Sequence, residues 1–310
     1  MKKLLCVLVI LLILTGCSTT KDEINTIAID NSGSINIYTR DSASGTREAF
    51  ETAIELEEGA LTANASEVSS NGDMAAKVGN DINGIGYVSL TTDFVANNVT
   101  PLNYNGVEAS IDTVLDGTYS MQRPFNYVTR AEGDYDSDDL EQLVNAFIAY
   151  ITESEEGLAV VESKGGIVDY TNAKSWEEIS KDYPVLLKDN SDLTIRTGGS
   201  TSVEKAIKAA LTEFQALAGN VQFAMDQTGS SDGYKRTLGE EKDGANAKEI
   251  GFASRPFKDT EDLSLAMFSG SFCKDAVVVI VNSDRDINDI NTESINNIYT
   301  GNITIFSEIE

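Results

Sequence analysis

Residues 38–50 read Tyr38-Thr39-Arg40-Asp41-Ser42-Ala43-Ser44-Gly45-Thr46-Arg47-Glu48-Ala49-Phe50, and this stretch decides how the chain is understood. Just upstream, Ile35 and Ile37 alternate with Ser34, Asn36 and Tyr38, the period-two pattern of a strand. Ser44-Gly45-Thr46 then opens a helix whose apolar side carries Phe50 and Ile54. Where a strand passes through a small polar turn into a helix, unpaired backbone N–H groups and a partial positive charge collect at the turn. That end of a helix is a ready anion site. Arg40, at the end of the strand, offers a planar fork of donors to a tetrahedral oxyanion.

The same design recurs. Leu193, Ile195 and Thr197 mark a strand that runs into Arg196-Thr197-Gly198-Gly199-Ser200-Thr201-Ser202-Val203. Behind Ser200-Thr201-Ser202, Val203, Ile207, Leu211 and Phe214 follow a helical period. Gln227-Thr228-Gly229-Ser230-Ser231-Asp232-Gly233 is a third turn rich in small hydroxyls, which add donors without bulk. Ile85 to Ser89 reads as a strand, and Val277 to Val281 as a fully buried one. Leu140, Leu143, Val144, Phe147, Ile148 and Ile151 mark a helix behind Asp136, Ser137 and Asp138 as capping candidates. Residues 171–192 are polar without a strong period, hold the sole Trp, Trp176, and read as a connector. Alternating strands and helices make this an α/β protein.

Composition narrows the function. A chain of 310 residues has room for two ordinary domains. Its 23 Lys and Arg against 50 Asp and Glu give a net charge of -27, which repels nucleic acid. It also repels anions at long range, so an anion site here must work through local geometry. Lys2, Lys3 and the apolar run Leu4 to Leu14 form a leader too short to span a bilayer, which takes about 20 residues. The run ends in Leu14-Thr15-Gly16-Cys17, which resembles a bacterial lipobox with Cys17 as the lipid attachment point. Residues 1–17 are therefore expected to be a lipoprotein signal peptide and 18–30 a flexible tether. With Cys6 and Cys17 assigned to the leader, Cys273 is left without a disulfide partner and reads as a small buried residue just before a strand. There is no His, which removes the commonest general base and metal ligand. A serine hydrolase built on Ser44 or Ser230, with Lys235 as base, would lack both a GxSxG elbow and an S-x-x-K phrase. No enzyme, cofactor or metal is implied.

Together the turns resemble the phosphate-binding proteins of bacterial phosphate ABC transporters, the PstS type. The family phrases present here are Arg40 to Phe50, Ser70-Asn71-Gly72-Asp73-Met74, Ile85 to Leu90 and Gly117 to Pro124. Then come Gly199 to Val203, Gly229 to Gly233, Gly251-Phe252-Ala253-Ser254-Arg255, Asp275 to Asn282 and Ile298-Tyr299-Thr300-Gly301. The family order as we read it places the second of these groups first, so the resemblance implies a circularly permuted chain. The expected fold is periplasmic-binding-protein type II-like, with two α/β lobes and a ligand cleft between them. One lobe would comprise residues 31–121 plus 282–310 and the other residues 122–281. Joining surface termini and cutting a loop elsewhere preserves the contacts of a fold.

The resemblance implies an extracytoplasmic, lipid-anchored, monomeric solute-binding protein that captures inorganic phosphate and delivers it to an ABC transporter permease. A sensing or adhesion protein of the same fold is the alternative. Carried over motif by motif, Thr201, Ser202 and Ser230 would bind phosphate from one lobe, and Arg40, Ser44, Gly45 and Thr46 from the other. Some relatives place an Asp after Ala253-Ser254 to accept the phosphate proton. Arg255 stands there instead and is expected to pair with an acid at the cleft edge, which leaves Asp275 as the expected acceptor.

Overall fold

The computed structural model describes residues 33–309. The expected leader, Cys17 and the tether lie outside the described residues. The strands are β1 (Asn36–Arg40), β2 (Ser66–Val68), β3 (Gly84–Ser89), β4 (Val99–Pro101), β5 (Asn103–Tyr104) and β6 (Gln122–Thr129). They continue with β7 (Thr194–Gly199), β8 (Gln222–Asp226), β9 (Ile250–Ala253), β10 (Ser269–Asn282) and β11 (Asp289–Ile290). The helices are α1 (Gly45–Ala53), α2 (Asn71–Gly79), α3 (Ile111–Leu115), α4 (Asp138–Glu153) and α5 (Glu155–Glu162). After them come α6 (Trp176–Ile179), α7 (Glu204–Leu217), α8 (Ser230–Thr237) and α9 (Thr292–Thr300). No helix among the described residues is long and apolar enough to cross a membrane.

The main sheet runs β2-β1-β3-β10-β6-β9-β7-β8, with β4 beside β10. Its two flanks are parallel: β1 with β2 and β3, and β7 with β8 and β9. The antiparallel pair β6 and β10 joins them. Parallel strands feed helices at their carboxyl ends, and ligands of such sheets bind there. The joining strands thus bring two sets of strand–turn–helix ends together.

Two hydrophobic cores flank the joining strands. Phe50, Ile85, Tyr87, Ile280 and Tyr299 belong to one, with Phe50 stacked on Tyr87 at 3.9 Å between ring centroids. Phe147, Tyr150, Trp176, Phe214 and Phe252 belong to the other. Met121, just before β6, packs in the first core, and Phe125 on β6 packs in the second. On β10, Cys273 packs in the second and Ala276 in the first. The changeover on β10 therefore falls ahead of the boundary expected at residue 282, because Val277–Val281 pairs with Ile85–Ser89 of β3.

The apolar face of α4 is buried at Leu140, Leu143, Val144, Phe147, Ile148 and Ile151, and Ser137 caps its first turn. Ahead of α7, Thr201–Val203 forms a 3-10 turn, so the helix proper starts at Glu204, beyond the Ser-rich start expected. The segment 171–192 is more than a connector. Trp176, Ile179, Val185 and Leu186 are buried, and the Trp176 ring meets those of Tyr150 and Phe214 edge-on at 5.1 and 5.9 Å. A buried large apolar side chain is worth about 1.5–3 kcal/mol, enough to order a short segment that has no period of its own. Cys273 lies inside β10, where burial pushes its thiol well above the usual value and leaves it unreactive.

Candidate functional site

Helix N-termini converge on the seam between the two cores. From one side come α1, capped by the Ser44 side chain, and α2, capped by Ser70. From the other come the 3-10 turn that leads into α7, and α8. The seam is closed by direct contact. The Thr46 hydroxyl lies 2.9 Å from the Ser202 hydroxyl. Ser231 N–H donates to the Ala43 carbonyl at 3.3 Å. A Cβ on Gly45 would stand 2.2 Å from Ser230 Oγ, so only the hydrogen of glycine lets α1 approach α8 this closely. Gly199, at φ +114°, serves another need: it turns β7 into the Ser200–Ser202 segment, where a Cβ would strike the Phe252 carbonyl at 2.1 Å.

Arg40 ends β1 with its side chain 1% exposed. Its backbone N–H donates to the Tyr87 hydroxyl at 3.0 Å, and Arg47 Nη1 donates to its carbonyl at 2.8 Å, so its position is fixed from both ends. Arg40 Nη2 donates to the Ser69 carbonyl at 3.1 Å, while Nε and Nη1 are buried without a hydrogen-bond partner. Asp41 stands 3.7 Å from Nη2. Burial pulls the Arg40 pKa down, and the charge of Arg123 adds to that pull against Asp41. An arginine that has paid for desolvation and holds donors unpaired is poised for an anion.

Arg123 and Asp275 face each other across β6 and β10 in register. Cross-strand neighbours share a face, so the two side chains meet directly. Arg123 Nε and Nη2 donate to Asp275 Oδ2 at 2.9 and 2.7 Å, and the Ser89 hydroxyl donates to Oδ1 at 2.9 Å. Burial raises the Asp275 pKa, and Arg123, Ser89 and Ala276 oppose the rise. A carboxylate has about four acceptor positions. Arg123 and Ser89 take three of those of Asp275, so its carboxylate stands behind Arg123, and the acceptor role expected for it is tested by Asp275→Asn.

Sequence reasoning therefore missed Arg123, which was visible only as part of the Gln122-Arg123-Pro124 phrase. Its Nη2 donates to the Ser202 hydroxyl at 2.9 Å and its Nη1 to the Ser254 hydroxyl at 3.3 Å. Asn71 Nδ2 also donates to Ser202 Oγ at 2.9 Å, and Ser254 N–H donates to Ser230 Oγ at 3.0 Å. Ser202 is thus the hub at which α1, α2 and β6 meet, while Thr201 is half-buried beside it. Arg255 makes the expected pairing with acids. Its Nη1 and Nη2 fork onto Glu261 at 2.7 and 2.8 Å, and its Nε lies 2.9 Å from Glu48 Oε2. Arg40, Ser44, Gly45, Thr46, Ser202, Ser230 and Asp275 are all buried around this seam. No group of three His, Cys, Asp or Glu among the described residues could hold a metal ion.

A family model described as a PBP superfamily domain matches residues 186–308. Phosphate-binding protein PstS 2 of Streptococcus agalactiae serotype V is 30% identical over 308 residues, covering 96% of this chain and 93% of that protein. Phosphate-binding protein PstS 2 of Streptococcus pneumoniae serotype 4 is 30% identical over 293 residues, covering 90% of this chain and 89% of its own length. A crystal structure of a phosphate ABC transporter phosphate-binding protein from Streptococcus pneumoniae TIGR4 aligns with a TM-score of 0.64 at 28% identity. It covers 90% of this chain and 100% of that one. A match that runs collinearly through nearly both chains means a shared segment order, so circular permutation does not set this chain apart from these relatives. Matched along almost its whole length, the chain belongs to the PstS-type family of phosphate-binding proteins.

Proposed function

We propose that this protein captures inorganic phosphate outside the cytoplasm and presents it to the permease of an ABC transporter, tethered by lipid on Cys17. The observation that carries the reading is Arg40, whose Nε and Nη1 are buried and unpartnered where helix N-termini converge. Phosphate entering this seam would part the Thr46–Ser202 contact and take their hydroxyls, with backbone N–H groups from the first turns of α1 and α8. Arg40 supplies charge directly. Arg123, oriented by Asp275 and Ser89, supports Ser202 and lends a second guanidinium whose charge is largely balanced. The chemistry is binding rather than turnover, as the names of the relatives indicate.

Titration calorimetry of the protein with phosphate tests this. Arg40→Ala removes two free charged donors, each worth about 1.5–3 kcal/mol when paired, so affinity falls at least roughly a hundredfold. Binding that is unchanged by Arg40→Ala would place the ligand elsewhere.

A further inference from the structure

Opposite charges meet across the seam, outside the anion-binding turns. Glu48 lies in the first turn of α1, whose Phe50 packs in one core. Arg255 and Lys258 follow β9, whose Phe252 packs in the other. Glu48 Oε2 is 2.9 Å from Arg255 Nε and 3.1 Å from Lys258 Nζ. The Arg255 fork is already fixed on its own side by Glu261, and its side chain is 3% exposed. Only the Nε edge is turned toward α1. Together with Arg123, these three residues line a groove of about 540 Å³, so the cluster stands at an approach to the anion site.

We propose that Glu48 is a positioning residue for anion binding: it pairs with Arg255 and Lys258 across the seam, holds the cleft shut and slows release without touching the anion. This rests on the phosphate-binding reading above. Two effects of the Glu48 carboxylate compete. As a free negative charge near the site it would repel phosphate, and its removal would tighten binding. As a cross-seam ion pair it favours the closed form, and its removal would loosen binding. The second prevails because the cations next to it already neutralise its charge. Closure changes mainly the dissociation rate, whereas long-range charge changes mainly the association rate.

The purified full-length protein and Glu48→Gln, Lys258→Met and the double variant are compared by stopped-flow with inorganic phosphate. Glu48→Gln is expected to raise the dissociation rate about three- to tenfold with the association rate within about twofold. Lys258→Met acts in the same direction, and the double variant falls short of the product of the two. Glu48→Asp, which keeps the charge on a shorter arm, recovers part of the loss. A dissociation rate that is unchanged or slower in Glu48→Gln overturns the proposal. Hydrogen exchange without phosphate tests the latch independently: the backbone amides of residues 43–47 and of Ser254, Arg255 and Phe257 exchange faster in Glu48→Gln, and equal exchange refutes the latch. Failure of the unaltered protein to take up phosphate would overturn the function proposed above, while exchange would still decide on Glu48.

Discussion

Replacing Asp275 with Asn tests whether this carboxylate serves the protein or the ligand. Asp275 is fully buried, receives two hydrogen bonds from Arg123 and one from Ser89, and lies opposite Arg123 in the β6–β10 register. Removing one partner of a buried ion pair leaves the other charge stranded and costs about 3–5 kcal/mol. Asn keeps one acceptor oxygen, so the lower end, about 3 kcal/mol, applies. For a protein of this size that lowers the melting temperature by roughly 6–12 °C. Three of the carboxylate's acceptor positions are spent on protein donors, so the preference for phosphate over sulfate should change less than about threefold. Calorimetric melting gives the first quantity, and parallel titrations with phosphate and sulfate give the second. A variant that melts normally but loses its preference for phosphate would refute the reasoning. It would mean that Asp275 accepts the ligand's proton and that its bond with Arg123 yields on binding.

Gly45→Ala should keep the fold, since Ala suits the first turn of a helix and Gly45 has no positive φ. Its Cβ would stand 2.8 Å from Ser230 Cβ, so the seam is propped open and calorimetry should show phosphate affinity falling at least about tenfold. Normal affinity would show that closure at Gly45 is not needed. Burial pushes the Tyr87 hydroxyl up to about 12 from its usual 10.0. The folded state therefore holds this proton more tightly than the unfolded state. Stability is unaffected below pH 10 and declines from there toward pH 12. Urea melts at pH 8, 10 and 11 should show that decline, and Tyr87→Phe should make it shallower; an equal slope in the variant would assign it to other groups.

What could be read in the sequence followed from local rules. The 3.6-residue apolar periods of α4 and α7 name their own buried faces, because a helix decides its buried side within one segment. The Ser/Gly/Thr turns likewise announce helix starts, since capping is a contact within one turn. What escaped was set by pairing between distant segments. The half of β10 before Val277, Ser269-Gly270-Ser271-Phe272-Cys273-Lys274-Asp275-Ala276, has no strand period and does not look like a core strand, yet its pairing with β6 from Ser269 to Ala276 joins the two cores. Arg123 and Asp275 become partners only once that register is known. Trp176 and Leu186 sit in a polar stretch and are buried by a surface that α4 and α7 create, not by any pattern of their own. Arg255 was legible as a departure, but its two acids lie in different elements, one beside it at Glu261 and one across the seam at Glu48.

The charge distribution explains how a protein of net charge -27 can hold an anion. Surface charges farther away than a Debye length, about 10 Å at 0.1 M salt, are largely screened, whereas buried groups are not. The field at the site is therefore set by the few groups that face it. Arg123 is balanced by Asp275. Arg255 is balanced by Glu261 and Glu48. Arg40 has only Asp41, at 3.7 Å and one-third exposed, and keeps two donors free. Three buried arginines thus leave one short of a partner, and it lies where hydroxyls and helix N-termini converge. Burying that charge unpaired costs free energy in the empty protein, and an anion with acceptors in tetrahedral array recovers it. On the phosphate-binding reading proposed above, selectivity for an anion comes from which arginine is left unmatched, not from the overall charge of the chain.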